Sequence, residues 1–191
     1  MIGPIYWHPI TYRAFMRCLY GSQFRSRYLQ VVSQIEPGWT VLDICCGDCF
    51  LASFLQQENQ YIGIDSNTRF VKWAKKEGVE AEQIDVRTGN LPEADCAVIL
   101  GSLYQFIPEE AWILKKVLKR VKRRLIVSEP VENLSQQSAW LSYLSAIMVN
   151  PGYVWANERF SRKSLISVFN SLECSRIIEN GRELIGVFDI P

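Results

Sequence analysis

Two aspartates close short apolar runs, where a sheet would present them to a ligand. Asp43 stands in Val41-Leu42-Asp43-Ile44, and Asp65 follows Tyr61-Ile62-Gly63-Ile64, 22 residues further on. Between them, Cys45-Cys46-Gly47-Asp48-Cys49 forms a turn of mostly small residues. An open parallel sheet binds ligands at the carboxyl ends of its strands, beside a switch in strand order. An acid roughly 20 residues beyond the first turn, ending the next strand, can accept hydrogen bonds from ribose hydroxyls. The pair predicts an adenosine-like ligand.

A dinucleotide fits that turn poorly. Its G-x-G-x-x-G fingerprint needs glycine at 45, 47 and 50, where this chain has Cys45, Gly47 and Phe50. A pyrophosphate requires close backbone approach, which Phe50 opposes. A carboxylate at Asp43 repels phosphate and favours a cationic amino group. S-adenosylmethionine (SAM) has a ribose, an ammonium and no phosphate.

The ordered motifs resemble those of the class I SAM-dependent methyltransferases. Val41-Leu42-Asp43-Ile44-Cys45-Cys46-Gly47-Asp48-Cys49 is similar to the family's first motif, V-L-D-h-G-C-G-x-G (h apolar), with Cys45 and Cys49 standing at glycine positions. Tyr61 to Asn67 resembles the second, Gln83-Ile84-Asp85-Val86 the third, and Ala94 to Phe106 the fourth. The resemblance covers roughly Pro37 to Phe188. It implies a SAM site built from Asp43, Cys45, Gly47, Asp65, Ser66, Asp85, Val86, Gly101 and Ser102. In that set Asp65 takes the ribose, Asp85 and the Val86 amide border the adenine, and the segment after the fourth strand lines the methionine end. Family members often carry His where this chain has Gln105.

Other chemistry is available to some of the same residues. Cys46-Gly47-Asp48-Cys49 also fits a thioredoxin-type redox site, since it follows a strand and opens a helix. A zinc site lacks a second Cys or His pair, and no acidic cluster of metal-binding type follows the fourth strand, so no metal is expected. Tyr104 and Gln105 stand where a substrate would, and His8, the sole histidine, lies in an aromatic N-terminal segment. These three are the catalytic candidates. Glu129, which ends the fifth strand, is a weaker candidate base. Seven cations between Lys115 and Arg124 read as a helix end and a solvated turn.

The elements that must position these groups follow from periodicity and breakers. Pro9 to Tyr20 is a helix stopped by Gly21, and Ser22 can cap a second, carrying Phe24, Tyr28, Val31, Val32 and Ile35 at helical spacing. From Thr40 the pattern becomes strand, turn, helix, strand. Strands are expected at 40–44, 61–64, 79–84, 94–100 and 125–127, with helices at 50–57, from Asn67 to about Glu77, and from Pro108. Ser161 to Asn170 is a further helix. Two last strands, 175–178 and 184–188, are joined through Asn180-Gly181, a hairpin signal. Such alternation implies an α/β, Rossmann-like doubly wound sheet, mainly parallel with an antiparallel C-terminal strand.

The chain has 191 residues, enough for one domain. Residues 1–36 are expected to form a helical cap, and 131–160 an insert carrying Trp140, Tyr143, Met148, Tyr153 and Trp155. With Tyr6, Trp7 and Tyr12 that insert could be a substrate lid. With 21 cations against 20 anions, no global field pulls the chain to nucleic acid or membrane. Cys45, Cys46 and Cys49 crowd one segment, poor spacing for disulfides, so a cytoplasmic location with reduced thiols is expected. The function expected is methyl transfer from SAM to a small, apolar or aromatic acceptor, by a monomer or homodimer. The alternatives are a non-catalytic SAM-binding protein of the same fold and a nucleotide-dependent oxidoreductase.

Overall fold

The computed structural model describes residues 7–131 and 159–190. Seven strands run through them: β1 (Thr40–Ile44), β2 (Gln60–Asp65), β3 (Ala81–Gln83), β4 (Ala94–Leu100), β5 (Val121–Pro130), β6 (Arg176–Asn180) and β7 (Glu183–Asp189). They form one sheet in the order β3-β2-β1-β4-β5-β7-β6. The pairings β1–β2, β1–β4, β2–β3 and β4–β5 are parallel. Strand β7 runs antiparallel to both β5 and β6. Strand order reverses between β1 and β4, so the crevice a ligand would use opens beyond Ile44 and Leu100.

Burial on both faces explains why the central strands read as continuous apolar runs. Leu42, Ile44, Ala97, Ile99, Leu125 and Val127 pack into one apolar layer with helix α4 (Glu110–Leu118) and helix α5 (Arg162–Ser171). Their neighbours Val41, Cys96, Val98 and Ile126 point the other way, into a second layer with Phe24, Tyr28 and Val31 of helix α2 (Gln23–Val32). Helix α1 (Pro9–Tyr20) precedes α2, and helix α3 (Thr68–Lys76) follows β2. Asn67 caps α3, its side-chain oxygen accepting the Arg69 N–H at 3.0 Å. Ser22 holds the N-cap position of α2 but makes no side-chain capping bond.

Three elements differ from the expected ones. The segment after the first turn is a short 3₁₀ helix, Phe50–Phe54, in place of a longer α-helix. A 3₁₀ turn rises more per residue and suits a short connection. It also brings Phe50 and Phe54 against Phe24 and Tyr28 in one aromatic cluster. Strand β5 extends well beyond its apolar centre, because β7 pairs with it from Arg124 to Pro130. Strand β3 is only three residues long. Tyr6, Trp140, Tyr143, Met148, Tyr153 and Trp155 lie outside the described residues.

Candidate active site

The turn after β1 is held by the carboxylate that ends β2. Asp65 Oδ2 accepts the Gly47 N–H at 2.9 Å, and its Oδ1 accepts the Asn67 N–H at 2.8 Å. Burial raises the Asp65 pKa, against the pull of those two backbone donors. Each carboxylate oxygen keeps a second lone pair for a hydroxyl. Cys45 (φ 57°), Gly47 (φ 54°) and Cys49 (φ 54°) all take left-handed backbone. The turn therefore keeps a glycine-type conformation at two positions occupied by cysteine, at a cost of about 1–2 kcal/mol each. Gly47 faces Tyr12: a Cβ there would stand 3.5 Å from the ring.

Asp43 is buried and accepts a hydrogen bond from the Tyr61 hydroxyl at 2.8 Å. Burial lifts its pKa to about 7; the Tyr61 bond opposes that rise, and Asp48 and Asp65 add to it. Asp48 is braced from α1, with Arg13 Nε 2.5 Å from its Oδ2. The Arg13 guanidinium lies 4.3 Å from the Phe50 ring centroid. Thus α1 and α2 close one side of a narrow cleft whose lining includes Tyr12, Arg27, Tyr28, Asp43, Cys45 and Leu100.

At the next strand ends, Gly101 (φ 66°) donates its N–H to Ser128 O at 2.7 Å. Ser102 is buried, and its hydroxyl reaches Leu100 O at 3.4 Å. A 3₁₀ turn, Leu103–Phe106, then carries Tyr104 and Gln105. Tyr104 is buried, with the Arg159 guanidinium 3.7 Å from its ring centroid. The Gln105 carbonyl accepts a bond from Arg87 Nη2 at 2.7 Å. Glu129 is fully buried; its Oε2 accepts the Leu103 N–H at 2.8 Å. Its Oε1 has no hydrogen-bond partner among the described residues. Burial raises its pKa to about 8, with the Leu103 bond opposing.

The remaining expected positions fall into two groups. Ser66 is exposed beside Asp65, and its carbonyl accepts from Gln83 Nε2 at 3.4 Å. Asp85 Oδ1 accepts the Arg87 N–H at 2.8 Å, and Val86 is buried with its carbonyl receiving Lys116 Nζ at 2.8 Å. These three stand beyond β2 and β3, on the side of the cleft away from Gly101. His8 is exposed at the start of α1, where its Nδ1 accepts the Ile10 N–H at 3.2 Å as an N-cap. Trp7 is 55% exposed.

All six cysteines are free. The Cys46 and Cys49 sulfurs lie 3.5 Å apart, both residues buried. A hydrogen bond with Cys49, and then burial, raises the Cys46 pKa well above its ordinary value. A reactive redox cysteine has its pKa lowered, so the thioredoxin-type alternative has no electrostatic support. Among the described residues no His, Cys, Asp or Glu cluster could hold a metal, and no helix is long and apolar enough to cross a membrane.

Sequence reasoning missed Arg13, Arg27, Tyr61 and Glu183. Arg27 and Glu183 are 156 residues apart in sequence, yet Arg27 Nε stands 3.0 Å from Glu183 Oε1 in the interior. A charged residue on an otherwise apolar helix face was the available signal, since Arg27 sits between Phe24, Tyr28 and Val31.

Residues 41–126 match the methyltransferase domain family. That span carries the chain from β1 into β5. Among solved structures, magnesium protoporphyrin IX methyltransferase from Synechocystis PCC 6803, with bound S-adenosylhomocysteine (SAH), is 16% identical over 92% of each chain, with a TM-score of 0.63. A SAM-dependent methyltransferase from Aquifex aeolicus is 16% identical over 93% of this chain and 97% of its own, with a TM-score of 0.61. An O-methyltransferase family 2 protein from Planctomyces limnophilus, in complex with apigenin, is 15% identical over 94% of this chain and 61% of its own, with a TM-score of 0.65. No curated protein is similar enough in sequence to count as a relative. The fold is that of the class I methyltransferases, and residues 41–126 are similar to a methyltransferase domain.

Proposed function

We propose that this chain transfers the methyl group of SAM to a small-molecule acceptor with an aromatic or extended apolar body. The observation that carries the proposal is the joint placement of Asp43 and Asp65. One acid lies buried at the mouth of β1, and the other, at the end of β2, grips the Gly47 turn with lone pairs to spare. This pair of acceptors suits a ribose and an ammonium, and disfavours a phosphate.

In this proposal Asp65 and Ser66 hold the ribose and Asp85 and the Val86 amide border the adenine. Cys45 and Gly47 approach the ligand through their backbone, and Gly101 and Ser102 border the amino-acid end. Asp43 faces the ammonium. Bound SAM supplies an electrophilic methyl group on a sulfonium. The protein's part is to align an acceptor lone pair with the carbon–sulfur bond and to keep water out. Alignment of that kind is worth roughly 7–11 kcal/mol of barrier. Tyr104 and Gln105 border the acceptor. His8, spent on the α1 cap, supports that end of the site through α1. The magnesium protoporphyrin and apigenin structures support an acceptor of small-molecule size.

The test is transfer of label from methyl-labelled SAM into a metabolite extract, read by mass spectrometry. The expected result is label in one low-molecular-weight compound. A protein that binds SAH and labels no small molecule would instead be a non-catalytic SAM-binding protein. One that binds NAD and not SAH would be a nucleotide-dependent oxidoreductase.

A further inference from the structure

The guanidinium of Arg27 is buried without adequate partners. Arg27 is 1% exposed. Its Nε stands 3.0 Å from Glu183 Oε1 but without hydrogen-bond alignment, and Nη1 and Nη2 have no hydrogen-bond partner among the described residues. A guanidinium carries five N–H donors in one plane. Donors on a buried charge left unmet are among the costliest features an interior can hold.

The surroundings fix which way those donors face. The guanidinium carbon lies 3.9 Å from the Tyr20 ring centroid, so one face is occupied. Its edge points at the start of the segment after β4: Nη2 is 2.6 Å from where a Cβ on Gly101 would stand. Any side chain at 101 would therefore collide with it. Arg27 also lines the same cleft as Asp43, Cys45 and Leu100. A cation and an acid thus face one narrow space from α2 and β1.

We propose that Arg27 receives the α-carboxylate of a zwitterionic amino-acid group bound in this cleft, while Asp43 faces its ammonium. The proposal rests on the donor reading above and adds to it the residue that recognises the donor's carboxylate. A planar carboxylate can take two parallel N–H bonds from the Nη edge. A free phosphate suits the place less well, because Asp43, Asp48 and Glu183 all lie nearby. A zwitterion brings its own cation to offset them.

The experiment compares three probes by calorimetry: SAH, decarboxylated SAM, and 5′-methylthioadenosine, which lacks the amino-acid group. They are titrated into the wild type, Arg27→Lys and the neutral pair Arg27→Met/Glu183→Gln. The double variant avoids leaving Glu183 buried alone, and Arg27→Lys keeps the charge while losing the planar fork. The double variant should bind SAH about 10- to 150-fold more weakly, the range for a charge-assisted bond. Binding of methylthioadenosine should stay within about threefold, which also shows that the cleft is folded. Decarboxylated SAM should lose no more than methylthioadenosine does. Equal losses for all three probes, or unchanged SAH binding, would overturn the proposal. A wild type that binds none of them would remove the donor reading itself.

Discussion

Asp65 Oδ2 accepts the Gly47 N–H at 2.9 Å, so the acid that ends β2 fixes the turn that follows β1. The same carboxylate shapes the loop and, in the proposed function, holds the ribose. Asp65→Ala should weaken SAH binding by about 1.5–3 kcal/mol, the range for bonds to a charged group. Asp65→Asn keeps one acceptor oxygen and should lose less. Calorimetry on both variants checks this; an alanine variant with wild-type affinity would contradict it.

The backbone at Cys45 gives a second prediction. At φ 57° the side chain is strained by about 1–2 kcal/mol, which glycine would relieve. Glycine's larger unfolded-state entropy returns about 0.5–1 kcal/mol of that. Cys45→Gly should then be neutral or slightly stabilising, whereas Cys45→Val, β-branched in a left-handed conformation, should destabilise by more than 1 kcal/mol. Urea unfolding of the two variants distinguishes them. A glycine variant less stable than the valine one would show that the thiol's packing outweighs its backbone.

Much of this is legible in the sequence, for identifiable reasons. The central strands were readable because burial on both faces demands uninterrupted apolar runs, as in Ala94–Leu100. Asp43 is legible because it stands one residue before the end of the first apolar run, and Asp65 because it ends the second. The 3₁₀ turn at Phe50–Phe54 was not, because its geometry is set by packing on Phe24 and Tyr28, which lie far away in sequence. Arg27 and Glu183 were missed for the same reason: neither has a local pattern that reveals the other.

A third prediction follows from two buried acids. Asp43 has a folded-state pKa of about 7 against 3.8, and Glu129 about 8 against 4.5. Between those limits the folded state holds a proton that the unfolded chain has released. Stability should therefore fall as pH rises from 5 to 8, with each group contributing a slope of up to about 1.4 kcal/mol per pH unit. Asp43→Asn and Glu129→Gln should each flatten the profile. Urea midpoints at pH 5, 6, 7 and 8 test this, and a stability that climbs over the range would contradict it. Over the same range SAM affinity should rise, since only the ionised Asp43 attracts an ammonium.

Tyr104 and Trp7 should respond in opposite ways. Tyr104 is buried, so Tyr104→Ala should cost about 3–5 kcal/mol of stability, as for other buried aromatics, while Tyr104→Phe keeps the ring. Trp7 is 55% exposed, and Trp7→Ala should stay within about 0.5 kcal/mol. Thermal melts separate the two. A large loss of stability on truncating Trp7 would mean that it packs as core.

The most direct test of the central claim is calorimetric titration of SAH and NAD into the wild type, Asp43→Asn and Asp65→Ala. The predicted result is saturable SAH binding to the wild type, weakened in both variants, with no heat from NAD. Binding of NAD with silence from SAH, or SAH affinity indifferent to both aspartates, would contradict the account.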